Sequence, residues 1–137
     1  MELTFAQKYY QWIGIWNGED FALEQIFHRD VIVKQMPHEK HGIETVREMV
    51  VQGRAPFEPI FCTIEVEPVY DDHMLAARWK CHGTYKGGMP NITVEPGTDI
   101  VFGGMDMWRF SDGLVSDYWV SSDSLWLMEQ LNPQDHV

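Results

Sequence analysis

Cysteine is scarce in this chain. Cys62 and Cys81 are the only two among 137 residues, and no CxxC pair occurs, which removes a cysteine-built zinc site. The two could close one bridge, but nothing else marks a secreted scaffold. Basic residues are also few. Ten Lys and Arg stand against 21 Asp and Glu, a formal charge of −11. Such a surface repels phosphate backbones and anionic bilayers, so neither nucleic acid nor membrane is an expected partner. No apolar run approaches the roughly 20 residues that a membrane helix needs. Met1 to Tyr10 has neither a basic start nor an apolar core, so it does not read as a signal peptide, and a cytoplasmic location is expected. There is no repeat, low-complexity tract or linker. GxSxG, P-loop and dinucleotide fingerprints are missing as well, and no cofactor is expected.

What is present is apolar and aromatic. Hydrophobic residues make up 45%, with six Trp, five Tyr and seven Phe. That excludes disorder and allows one buried core, so residues 1–137 read as a single domain.

The first half has helical spacing. Thr4 and Gln7 form a capping box, and Phe5, Tyr9, Trp12, Ile13 and Trp16 recur on one face until Asn17-Gly18. Asp20 can cap a short second helix carrying Phe21, Leu23, Ile26 and Phe27. Asp30 to Val33 reads as a short strand that ends at Met36-Pro37. A loop and Gly42 then lead into a helix from Ile43 to Gln52.

The second half has period two. Strands are expected around Ile60–Val66, Met74–Tyr85, Thr98–Phe110 and Leu114–Ser121, followed by a helix from Ser124 to Leu131 capped by Asp123 or Ser122. Helices followed by a strand meander give an α+β class with antiparallel pairing. Along the third long strand Ile100, Phe102, Trp108 and Phe110 share one face, and Val101, Met105 and Met107 share the other. A sheet apolar on both faces needs two covers. The helices supply one, and a second copy is expected on the outer face, making a homodimer.

This order is similar to the nuclear transport factor 2-like fold, a cone-shaped, strongly curved mixed sheet wrapped around N-terminal helices. Asp112-Gly113-Leu114-Val115-Ser116-Asp117-Tyr118-Trp119, with Leu127 to Leu131 after it, resembles the SnoaL-like branch. So do Arg78-Trp79 and Gly83-Thr84-Tyr85-Lys86-Gly87. The resemblance spans nearly the whole chain. It implies a pocket and, in this branch, cofactor-free acid–base chemistry (cyclisation, isomerisation or dehydration) on a small apolar, cyclic or polyketide-like molecule. A binding module without chemistry is the alternative, because the fold hosts both.

Asp106 carries most of the interest. It sits in the apolar run Gly104 to Phe110, on the face of Phe102 and Trp108. A carboxyl among aromatics resists ionisation and can donate or shuttle a proton. Its position resembles the protonated, oxyanion-binding aspartic acid of ketosteroid isomerase. The competing reading pairs Asp106 with an arginine. Tyr118 is the second catalytic candidate or else a pocket wall. His82 is the third, as an acid–base partner of Asp106 or as a surface histidine. Trp12, Met36, Arg78, Trp108, Val120 and His38 are candidate substrate contacts, with Met89 as a further wall, while Trp16 is assigned to the core. The ketosteroid isomerase base aligns near Gln35 or Met36, and the SnoaL aspartate aligns with Val120, so neither reaction transfers intact. An epoxide-hydrolase Asp-Arg-Asp set fits only at Arg78. His38 and His41 follow Pro37 in what reads as a solvated loop, so no metal site is assigned.

Overall fold

The computed structural model describes residues 2–133. Three helices, α1 (Phe5–Trp16), α2 (Ile43–Arg54) and α3 (Ser124–Leu131), cover one six-stranded sheet. Its strands are β1 (Phe27–Gln35), β2 (His38–His41), β3 (Phe57–Tyr70), β4 (Met74–Tyr85), β5 (Asp99–Ser111) and β6 (Leu114–Ser122). They lie in the order β2-β1-β6-β5-β4-β3. β1 runs parallel to β6 and every other pairing is antiparallel, so the sheet is mixed, and it is open between edges β2 and β3. This is the expected α+β class. Register shifts interrupt β3, β1 and the β5–β6 pair, and irregularities of this kind bend a sheet.

Local chemistry explains the elements. Thr4 and Gln7 close the capping box at the start of α1, with Gln7 N–H donating to Thr4 Oγ1 at 3.1 Å. Asn17 and Gly18, the latter at φ +89°, end it. The inner face of α1 then lays Tyr9, Trp12 and Ile13 against the sheet. Trp12 and Trp108 are fully buried, and side chains of this size each hold a fold by about 3–5 kcal/mol relative to Ala. Gly104 is required where it stands. A Cβ there would meet the Ser121 carbonyl at 2.6 Å and the Trp79 ring.

Three expectations are corrected. The second helix is only a 3₁₀ turn, Leu23–Gln25, and Ala22 rather than Asp20 precedes it. Phe27 belongs instead to β1, which begins three residues before Asp30 because Phe27 pairs with Val115 of β6. The segment after Pro37 is a strand, β2, that returns along β1 with Gln35 opposite His38. Asp123 does stand at the start of α3, but its side chain makes no cap. It accepts a bond from Arg78 at 2.7 Å.

Candidate active site

A cavity of about 480 Å³ lies between α1, α2 and the inner face of the sheet. Strand alternation decides what enters it. On β5 the inward residues are Ile100, Phe102, Asp106, Trp108 and Phe110, while Met105, Met107 and Arg109 face out. Asp106 therefore points inward among aromatics and is 1% exposed. Its cross-strand neighbours are Ala77 on β4 and Val120 on β6. Both are small beside the surrounding rings, which leaves space at the carboxyl.

Two phenols hold that carboxyl. Tyr118 Oη donates to Oδ1 at 2.7 Å, and Tyr9 Oη donates to Oδ2 at 2.8 Å. Tyr118 arrives from the neighbouring strand, directly opposite Trp108. Tyr9 arrives from α1, 97 residues away in sequence. Trp108 sits behind the group, with its ring 5.1 Å from that of Tyr9 and 6.0 Å from that of Tyr118. Neither candidate arginine reaches Asp106. Arg78 pairs with Asp123 and Glu65, and Arg109 pairs with Asp117.

The electrostatics follow. Burial, with no counter-charge against it among the described residues, lifts the Asp106 carboxyl from 3.8 to about 6, and donation from Tyr118, Tyr9, Trp79 and Trp12 opposes that rise. Both tyrosines are pushed far up, by burial first and by the Asp106 charge second, so they stay protonated. A carboxyl near 6 is ionised in roughly nine molecules of ten at pH 7. It is then an acceptor for both phenols and a base of useful strength. A carboxyl poised about there can take up a proton and give it back close to neutral pH.

Of the candidate residues, Asp106, Tyr118, Trp12 and Val120 meet in the cavity wall, and His38 stands on its exposed rim with Lys40, Glu48 and Gln52. Trp108 packs beneath the wall without lining it. Three candidates do not reach this cavity, although Met36 and Arg78 line a second one of about 630 Å³ on the outer side, to which Asp106 and Val120 also contribute. His82 is exposed on the outer face of β4, because the inward set there is Leu75, Ala77, Trp79 and Cys81. Arg78 shares that outer face and serves to tie Asp123 at the start of α3. Met36 is 78% exposed at the β1–β2 turn and does not line the inner cavity. Trp16 is corrected the other way. It is half-buried and lines the cavity, packing against Gly53 of α2.

Sequence reasoning missed Tyr9 and Trp79 as site residues. Tyr9 lies one helical turn before Trp12 on the same apolar face, and that spacing was the available signal. The one bridge that the two cysteines could close is formed, and its place in the site was not foreseen. Cys62 of β3 and Cys81 of β4 are bonded to each other and both line the cavity. Among the described residues no three His, Cys, Asp or Glu side chains converge as a metal site, and His41 instead meets Glu39 at 3.4 Å.

Comparison with known proteins agrees with this fold. A family model described as SnoaL-like polyketide cyclase matches residues 6–131. No curated protein matches the chain. Solved structures share its fold. IdmH of Streptomyces antibioticus superposes with a TM-score of 0.78 at 19% identity, over 94% of this chain and 99% of that one. TsrD of Streptomyces laurentii gives 0.73 at 23%, over 91% and 92%. A SnoaL-like polyketide cyclase of Agrobacterium tumefaciens gives 0.71 at 21%, over 95% and 99%. At these identities the likeness is one of fold.

Proposed function

The chain belongs to the SnoaL-like polyketide cyclase family, and from that premise we propose that it is a cytoplasmic, cofactor-free enzyme that cyclises, isomerises or dehydrates a small apolar, cyclic or polyketide-like molecule. The observation that carries this is Asp106, a buried carboxyl without a cation, held between two phenols at a cavity of about 480 Å³. The Asp106 carboxylate removes a proton from a carbon next to a substrate carbonyl. Once Asp106 has taken that proton its pull on the Tyr118 hydroxyl weakens, and Tyr118, which lines the cavity, turns its single O–H to donate to the enolate oxygen. Neutral Asp106 then returns the proton to another carbon, to a departing hydroxyl, or to the alkoxide formed on ring closure. Tyr9 does not line the cavity and acts as a positioning residue for the carboxyl. Trp12, Trp16 and Val120 form walls that hold an apolar body and exclude water. The enzyme works as a homodimer through the outer face of the sheet, where Val66, Val69, Met105 and Met107 stand exposed.

The test is proton exchange in deuterated buffer, followed by NMR on a panel of cyclic ketones and poly-β-keto compounds. Wild type should exchange the α-protons of at least one class, with kcat/KM rising through a pH of about 6 as Asp106 ionises. An equal rate for Asp106→Asn would remove Asp106 from the chemistry. One observation favours a second reading, a ligand-binding module. Val120 lines the cavity at the position where the branch's aspartate aligns. Saturable binding with no exchange on any member of the panel would establish it.

A further inference from the structure

The Cys62–Cys81 bond has no part in the acid–base chemistry, yet it forms part of the cavity wall. The two residues are direct cross-strand partners on β3 and β4, with Cα atoms 4.1 Å apart. The backbone of Cys62 faces away from β4. Its N–H donates to Asn17 Oδ1 at 2.6 Å, and its carbonyl accepts from Asn17 Nδ2 at 2.8 Å. Cys62 and Cys81 therefore occupy a non-hydrogen-bonded position of the ladder, where facing side chains come closest. Both residues are only 2% exposed, and both contribute to the cavity lining beside Trp79 and Phe57.

We propose that the Cys62–Cys81 pair is a thiol–disulfide exchange site in the pocket wall, reached by small thiols through the mouth of the cavity. A dithiol is the co-reactant. Its thiolate attacks one sulfur, the S–S bond breaks, and the other cysteine leaves as a thiolate. The second thiol of the reductant then displaces the first cysteine. Two electrons pass from the dithiol to the pair, the dithiol becomes a disulfide, and two protons end on Cys62 and Cys81. The released sulfurs move from bonded to non-bonded separation, and both lie on the inward face, so the wall changes shape there. The strand stays in place. β4 holds Cys62 from one side through the flanking ladder, and Asn17 grips its backbone from the other. In an oxidising compartment the wall is closed, and in a thiol-buffered one it opens. This inference does not depend on the role given to Asp106.

The experiment uses the full chain, oxidised and free of ligand. Dithiothreitol is added, and thiols are trapped with iodoacetamide and counted by intact mass. Two thiols should appear together, at a rate that low, non-denaturing urea leaves unchanged. Gln52→Trp and Leu127→Trp, two bulky replacements in the cavity lining, should each slow the reaction by about fivefold or more. Circular dichroism of the reduced protein should match that of the oxidised protein. A rate that climbs with urea would mean that the bond opens only on unfolding, and the proposal fails. A urea-independent rate that neither variant slows would place access elsewhere, and it fails again.

Discussion

Replacing Asp106 by Asn should make the protein more stable at neutral pH while removing its chemistry. The reasoning starts from the carboxyl's surroundings. Folding lifts it from 3.8 to about 6, because burial outweighs the bonds from Tyr9 and Tyr118. The folded state thus holds this proton more tightly than the unfolded state does. With the folded value raised, the group's contribution is fully present below a pH of about 4 and is lost as pH rises through about 6. Across that window the ionised form costs the fold about 3 kcal/mol. Asn has the same shape. Its Oδ1 can accept from Tyr9, and its amide can donate to the Tyr118 oxygen after the hydroxyl turns. Urea unfolding of both proteins at several pH values between 4 and 8 measures the difference. The stability gap in favour of Asp106→Asn should open with pH and level off above 7, at up to about 3 kcal/mol. Other carboxylates titrate alike in both proteins and cancel. A gap that stays constant with pH, or a variant that is weaker at pH 7, would refute the assignment of Asp106 as a desolvated, cation-free base.

The remaining expectations concern its neighbours. Tyr118→Phe removes a donor that favours the ionised carboxyl, so the rising limb of the kcat/KM profile should move above pH 6, with a loss of about a hundredfold at neutral pH. Tyr9→Phe should move the same limb upward with a smaller loss, because Tyr9 does not line the cavity. Sedimentation of Met105→Glu/Met107→Glu should show monomers where wild type shows dimers, since both side chains lie on the exposed outer face of β5. Monomeric wild type would end the dimer reading.

What could be read from the residues was whatever a local period encodes. Alternation alone placed Asp106 with Phe102 and Trp108, and the structure keeps them on one face. The same rule held the answer for His82. Leu75, Ala77, Trp79 and Cys81 are the apolar register of β4, and Arg78, Lys80, His82 and Thr84 are the polar one. Contacts between distant segments were not legible. Tyr9 and Asp106 meet only because α1 crosses the inner face of the sheet, a matter of helix docking that no local spacing records. The placing of Met36 outside the inner cavity was hidden for a similar reason. A short hairpin was needed to know that the β1–β2 turn carries its side chain out to solvent.

The register of β5 and β6 also bears on the missing acid. The branch's aspartate, by resemblance, falls at Val120, and Val120 is the direct cross-strand partner of Asp106. Both positions point inward and both line the cavity. On a non-polar wall a carboxyl at either place addresses the same space, because facing side chains in an antiparallel pair lie only about 5 Å apart. Two carboxyls there would repel, and one would be forced to stay protonated. A single acid at this pair is therefore the electrostatically simpler arrangement, and Val120 beside Asp106 avoids the conflict. The phenols complete the logic. A lone carboxylate in this site would bear the full cost of desolvation, whereas donors led by Tyr118 and Tyr9, with Trp79 and Trp12 after them, bring it back to about 6, within reach of neutral pH. An apolar residue at position 120 is thus compatible with catalysis in this scaffold, provided that the acid has moved one strand across and has brought its own donors.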